Sequence, residues 1–328
     1  MQEFFSLALG NLGSPLILSF VLGLAAALAR SDLSFPEAVA KALSVYLLFA
    51  IGFKGGVSVS SHGLTLDIGT ALIAGVVLSA LIPFIAMALL RVMTSLGRTD
   101  AAAVAGHYGS ISIVTFVAAT SVLDSQGIAS EGYMVAVAAA MEAPAILSAL
   151  WLVSSGGASG GGRMDARLWR EILLNGSIVL LIGAFLIGAV TGEDGLREIE
   201  AFVVDPFKGA LCIFLLDMGL IAGRGLLKSR GVLSLGLFAF GVVMPLAGAM
   251  VGTLAAVLIG LSPGGAFLLA VLSASASYIA VPAAMRVALP EADPGIYLTL
   301  SLGVTFPFNL TIGIPVYLML ATAAMGGG

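Results

Sequence analysis

The sequence predicts an all-α integral membrane protein of ten transmembrane helices, some of them broken, arranged as two inverted copies of a five-helix unit. Three observations carry this. Of 328 residues, 59% are hydrophobic and only 10% charged, with a mean hydropathy of +1.12; a soluble domain has about 25% charged residues to hold its surface in water. Apolar runs of helical length recur from end to end, each long enough to cross a hydrocarbon core. The two halves also repeat one another at a near-constant offset. Glycine is abundant, at 42 residues, as membrane helices that pack closely or unwind locally require.

A hydropathy window of about 19 residues gives spans at approximately 12–29, 38–56, 68–92, 101–123, 133–154, 172–191, 207–225, 232–260, 264–288 and 296–322. Gly, Ser or polar residues interrupt the second, fourth, seventh and ninth. Between the fifth and sixth, residues 155–171 form a Gly/Ser-rich linker with Arg163, Arg167 and Arg170 on its shoulder. That linker separates a first repeat (1–154) from a second (172–328). The repeat is visible in KALSVYLLFAIGFKGG from Lys41 to Gly56, matched 167 positions later by KGALCIFLLDMGLIAG from Lys208 to Gly223. Pro83 and Pro245, Ser110-Ile111-Ser112 and Ser275-Ala276-Ser277, and Pro144 and Pro307 recur at offsets between 162 and 165.

An odd number of spans per copy turns the second copy upside down. Cationic residues agree with that: Arg30, Lys41, Arg91, Arg98, Arg163, Arg167, Arg170, Arg224, Lys228, Arg230 and Arg286 fall on one side, and Lys54, Arg197 and Lys208 on the other. The positive-inside rule then sets both termini outside the cytoplasm. Inverted repeats with broken helices are a signature of secondary transporters.

Composition removes other classes. Cys212 is the lone cysteine, and His62 and His107 are the only histidines, so disulfide frameworks and His/Cys metal clusters are not expected. A formal charge of −4 without a basic block leaves no footprint for nucleic acid. Gly225-Leu226-Leu227-Lys228-Ser229 lacks the Gly before Lys that a phosphate-binding loop needs. Nothing groups a nucleophile with a histidine and an acid, so no enzyme and no cofactor is expected.

In such folds the solute binds near the midplane where interrupted helices meet. The candidates are Gly109, Ser110, Ile111 and Ser112 in the fourth span and Ser275, Ala276 and Ser277 in the ninth. Hydroxyl residues at alternate positions suit an unwound stretch, and a half-helix starting there turns its positive end toward a small anion. Hydroxyls and freed carbonyls are hard oxygen donors that suit Na⁺. Ser110, Ser112, Thr115, Ser273 and Ser275 are therefore candidate sodium ligands, with Glu142 beside Pro144 and its counterparts Thr305 and Asn309 around Pro307. Small polar residues are equally the ordinary packing residues of membrane helices; their recurrence at matching positions of both halves favours a site. Asp217, His107 and Tyr278 are further intramembrane candidates. Lys54 is expected to snorkel to an interface.

At these residues the chain resembles the sodium-dependent bicarbonate transporter family. The resemblance runs nearly the whole length and rests on Ile51-Gly52-Phe53-Lys54-Gly55-Gly56, Asp100-Ala101 leading to Gly109–Ser112, and Met141-Glu142-Ala143-Pro144-Ala145. It continues through Ala270-Val271-Leu272-Ser273-Ala274-Ser275-Ala276-Ser277, Arg286 with Pro290 and Pro294, and Gly313-Ile314-Pro315. It implies a core domain moving against a gate domain, a homotrimer in the inner membrane, Na⁺-driven bicarbonate uptake, and regulation by a cytoplasmic PII-like protein. The expected function is thus a Na⁺ symporter of bicarbonate or a similar small anion. The rivals are a Na⁺-coupled organic-anion carrier of the bile-acid kind, a proton antiporter, and a membrane receptor that binds an ion without moving it.

Overall fold

The computed structural model describes residues 13–62, 66–154, 174, 176–228, 233–278 and 280–326. The predicted linker at 155–171, with its arginines, lies outside them. Among the described residues there is no strand. The helices are α1 (Pro15–Leu28), α2 (Glu37–His62), α3 (Leu66–Met93), α4 (Arg98–Gly109), α5 (Ile113–Gln126), α6 (Met134–Ala140), α7 (Glu142–Ser154), α8 (Gly176–Val203), α9 (Phe207–Lys228), α10 (Leu235–Ile259), α11 (Pro263–Ala274) and α12 (Ala280–Ala288). A last helical run, α13, covers Pro294–Ala324. Counting α4–α5, α6–α7 and α11–α12 as broken spans, these follow the ten apolar segments of the sequence. Among the described residues, eight helical stretches are long and apolar enough to cross a membrane, and Pro15–Leu28 and Pro263–Ala274 are shorter apolar helices. The chain is a multi-pass membrane protein.

Where the spans break differs from the sequence expectation. The second and seventh, α2 and α9, are continuous, because their glycines serve helix contact and not unwinding. A Cβ on Gly56 would stand 1.9 Å from the Phe185 carbonyl oxygen, and one on Gly188 would stand 2.1 Å from that of Phe53. Gly23 and Gly219 meet the Leu216 and Phe20 carbonyl oxygens at 2.0 and 2.1 Å in the same way. So α2 packs backbone to backbone on α8, and α1 on α9, which is how small residues let membrane helices approach.

The fifth and tenth spans are interrupted instead. Met141 separates α6 from α7, and α13 widens to π-helix at Thr299–Thr305 and Asn309–Gly313 on either side of Phe306–Phe308. Pro144 and Pro307 explain this, since a proline donates no N–H and its ring crowds the carbonyl four residues earlier. In α8 the bend falls at Gly192 (φ 59°, ψ −151°), a conformation that costs glycine alone little. Beyond it Phe202 packs edge-on against Tyr46, whose hydroxyl donates to the Phe202 carbonyl at 2.7 Å.

The centre of the molecule is α4, α5 and α11. The apolar stretch within Arg98–Gln126 is 100% buried and that within Val179–Val203 only 17%, so the former is enclosed by protein and the latter lies at the periphery of the chain. Ala101–Ala105 and Gly106 make the enclosed helix thin enough to be surrounded. Gly188→Leu is expected to destabilise the protein by about 1–3 kcal/mol through overpacking, whereas Gly183→Ala, with nothing within 4 Å, should leave stability nearly unchanged; thermal melts in detergent read both.

Candidate functional site: a crossing of two broken helices

α4 ends at Gly109, a position where nothing larger fits: a Cβ there would lie 2.4 Å from Pro83 Cγ and 2.9 Å from Ala145 Cβ. Ser110 is then extended (φ −85°, ψ 174°), and Ser112 (φ −102°, ψ 106°) restarts the helix as the N-cap of α5. The second half repeats the device. α11 stops at Ala274, Ser275 is extended (φ −86°, ψ 164°), and its hydroxyl donates back to the Leu272 carbonyl at 2.9 Å, the local competition by which serine ends a helix.

The two extended stretches touch. The Ser112 N–H donates to Ser275 Oγ at 2.9 Å, and the Ser277 N–H donates to the His107 carbonyl at 2.7 Å. Residues 163 and 170 positions apart in the chain thus satisfy backbone groups that the breaks expose. The neighbours are tied in. Asn309 Nδ2 donates to the Ala274 carbonyl at 3.0 Å, and its Oδ1 accepts from the Tyr317 hydroxyl at 2.7 Å. Thr305 donates to the Gly241 carbonyl at 2.7 Å and shares a hydrogen bond with the Tyr108 hydroxyl. Ser79 donates to the Met141 carbonyl at the break in the fifth span.

Donor accounting separates two kinds of free group. Ser112 Oγ accepts from the Thr115 N–H at 3.2 Å and the Thr115 hydroxyl at 2.9 Å, which fills both lone pairs and leaves its own proton to give. The N–H groups of Ile113 and Val114, in the first turn of α5, have no intrahelical acceptor. These are donors only, suited to an anion. Unspent oxygen is found as well: among the sodium candidates the Ser110 and Ser273 hydroxyls and Glu142 Oε2 are buried without partners among the described residues, and hard oxygens of this kind suit Na⁺.

Other candidates lie further out. Ser273 turns its hydroxyl toward α10, where a Cβ on Gly252 would come within 2.6 Å. His107 donates from Nδ1 to the Ala103 carbonyl at 2.7 Å, assigning the proton to that nitrogen, and stacks on Tyr297 at 4.3 Å. Ile111 and Ala276 are buried between the serines. Asp217 is buried on α9, which packs on α1, and its charged neighbour is Arg224; it makes no hydrogen bond to the crossing. Lys54 lies over the Phe207 ring at 4.3 Å, a cation–π contact.

Two contacts that the sequence reading missed hold the frame. Glu131 accepts from the Ser262 N–H at 2.7 Å and from its hydroxyl at 2.9 Å, fixing the start of α11 to the loop before α6. At the other end Asp100, at the start of α4, accepts from the Asp293 N–H at 2.8 Å. Ser262-Pro263 is a legible helix start, but its acidic partner, 131 positions away, has no local signal.

A cavity of about 860 Å³ lies between α9 and α13. Arg224 and Asp293 border it, Met218, Leu298 and Leu302 form its apolar wall, and Tyr278 borders it from the break in the ninth span.

A model of the Na⁺-dependent bicarbonate transporter superfamily matches residues 15–322. The chain belongs to that superfamily. No curated protein matches the chain. The matched range includes both breaks, Glu142 and the residues around Pro307.

Ser275→Ala removes the acceptor of a buried backbone N–H and is expected to cost about 1–3 kcal/mol of stability. Ser125→Ala, whose hydroxyl bonds only the Val122 carbonyl at an exposed site, should stay within about 0.5 kcal/mol. Denaturant unfolding of the detergent-purified variants measures the difference.

Proposed function

We propose that this protein imports bicarbonate with Na⁺ by alternating access, and that the crossing of the two broken helices is where both ions bind. The observation that carries this reading is the pairing of unspent groups: donors at the start of α5, a free hydroxyl at Ser110, and a free oxygen on Glu142, one turn before the Ala145 that packs on Gly109. A bound Na⁺ makes the adjoining donors a better anion site, and the anion does the same for Na⁺, which is reciprocal thermodynamic coupling. In this reading Ser110 and Glu142 offer Na⁺ their free oxygens. Asn309, Thr305 and Thr115, whose side chains are engaged by protein, hold the surrounding backbone in position.

The architecture we propose is a five-plus-five inverted repeat, with α3–α7 and α10–α13 as a core and α1, α2, α8 and α9 as a gate. Its support is reciprocal: α1 meets α9 through Gly23 and Gly219, and α2 meets α8 through Gly56 and Gly188. The acidic ties Asp100–Asp293 and Glu131–Ser262 are likewise exchanged between halves. The cavity between α9 and α13 would be the path on the arginine-rich, cytoplasmic side, with both termini on the opposite face. The trimer and the PII-like regulator that the family resemblance implies belong to the same proposal.

Purified protein in liposomes should accumulate labelled bicarbonate only when a Na⁺ gradient points inward; equal uptake with and without the gradient would refute coupling. Glu142→Gln should raise the Na⁺ half-saturation about tenfold, the order of one charge-assisted contact, read from initial rates against Na⁺ concentration. A second reading, a Na⁺-driven carrier of larger organic anions, draws on the cavity, which at about 860 Å³ far exceeds a bicarbonate ion. Competition of uptake by acetate, pyruvate and a bile acid distinguishes the two.

A further inference from the structure

Tyr278 stands where the cavity and the crossing meet. Its ring borders the cavity and is held edge-on by Phe306 at 5.3 Å, while its hydroxyl is buried and has no hydrogen-bond partner among the described residues. That hydroxyl comes up beside Ser112, the residue that caps α5. Ser112 offers it no ready acceptor, because Thr115 already uses both lone pairs of the serine oxygen. The Ser112 proton can go to the phenol oxygen, and what is left over is one-sided: the Tyr278 hydroxyl proton and the Ile113 and Val114 N–H groups at the start of α5 are all donors. Three donors gathered in a buried place are costly to leave unpaired, and an oxyanion supplies the acceptors they lack. A cation would meet the positive end of the helix there.

We infer that Tyr278 is a specificity-determining ligand of the transported anion. Its phenol donates to an oxygen of a small oxyanion held against the start of α5, and its ring forms the inner wall that the anion passes on its way to the cavity. This rests on the transport reading above and assigns a substrate contact within it. The large, mostly apolar cavity is then a vestibule, and selection occurs at its inner end, where the polar donors lie.

The test is uptake of labelled bicarbonate by proteoliposomes carrying wild-type protein or Tyr278→Phe, which removes the hydroxyl and keeps the ring against Phe306. The variant should raise the KM for bicarbonate about tenfold and shift the Na⁺ half-saturation, at saturating bicarbonate, less than about twofold. An active variant with an unchanged bicarbonate KM overturns the inference alone; a wild-type protein without Na⁺-driven uptake removes the transport reading. Labelling gives a second readout that survives a poorly active variant. With Cys212→Ser as background, Tyr278→Cys should react with a membrane-impermeant methanethiosulfonate applied from the Arg224 side, and bicarbonate should slow the reaction. Labelling indifferent to bicarbonate contradicts the assignment.

Discussion

Breaking a helix inside a membrane protein exposes backbone N–H and C=O groups where no water can reach them, and each must find a partner. The bond from the Ser112 N–H to Ser275 Oγ, with its companion from the Ser277 N–H to the His107 carbonyl, meets that demand for two breaks at once. Because each break supplies what the other lacks, neither stretch is satisfied alone. Everything else in the core can be understood as holding the two stretches at bonding distance.

That holding is done by small residues and by polar side chains pinned at both ends. Gly109 lets α4 close on Pro83 and Ala145. Tyr108, Thr305 and the Gly241 carbonyl form a chain from α4 through α13 to α10, and Asn309 bridges Ala274 to Tyr317. Such fully satisfied networks are rigid because each member would leave an unpaired group if it moved. The ties of Glu131 to Ser262 and of Asp100 to Asp293 clamp the outer ends of the same helices. The helices α1, α2, α8 and α9 pack on one another through glycine contacts of their own, and in the proposed transport cycle the stiffened body would shift against them as a unit.

Much of this is legible in the sequence, for a physical reason: hydropathy must match the bilayer, so ten apolar segments can be counted from the residues alone. The serine runs at 110–112 and 275–277 announced their breaks because serine competes for its own backbone. Glycine misled in α2 and α9, since the same residue serves both unwinding and close approach, and only the partner's position decides which. Pro144 and Pro307 marked real interruptions whose form, a one-residue gap in one span and π-turns in the other, depends on neighbours such as Ser79. The pairings of Tyr108 with Thr305 and of Glu131 with Ser262 join residues far apart in the chain and leave no local pattern. Asp217 and Glu142 looked alike as buried acids, yet one packs near α1 and the other lies at a helix break.

The most direct measurement is a high-resolution cryo-EM map of the protein in a lipid nanodisc with Na⁺ and bicarbonate. It should contain a cation density in contact with the Ser110 hydroxyl and a planar density against the first turn of α5, with Ser112 and Ser275 still bonded. An empty crossing in a map where both ions are bound elsewhere, or one in which Ser112 and Ser275 are far apart, would contradict the role given to this contact.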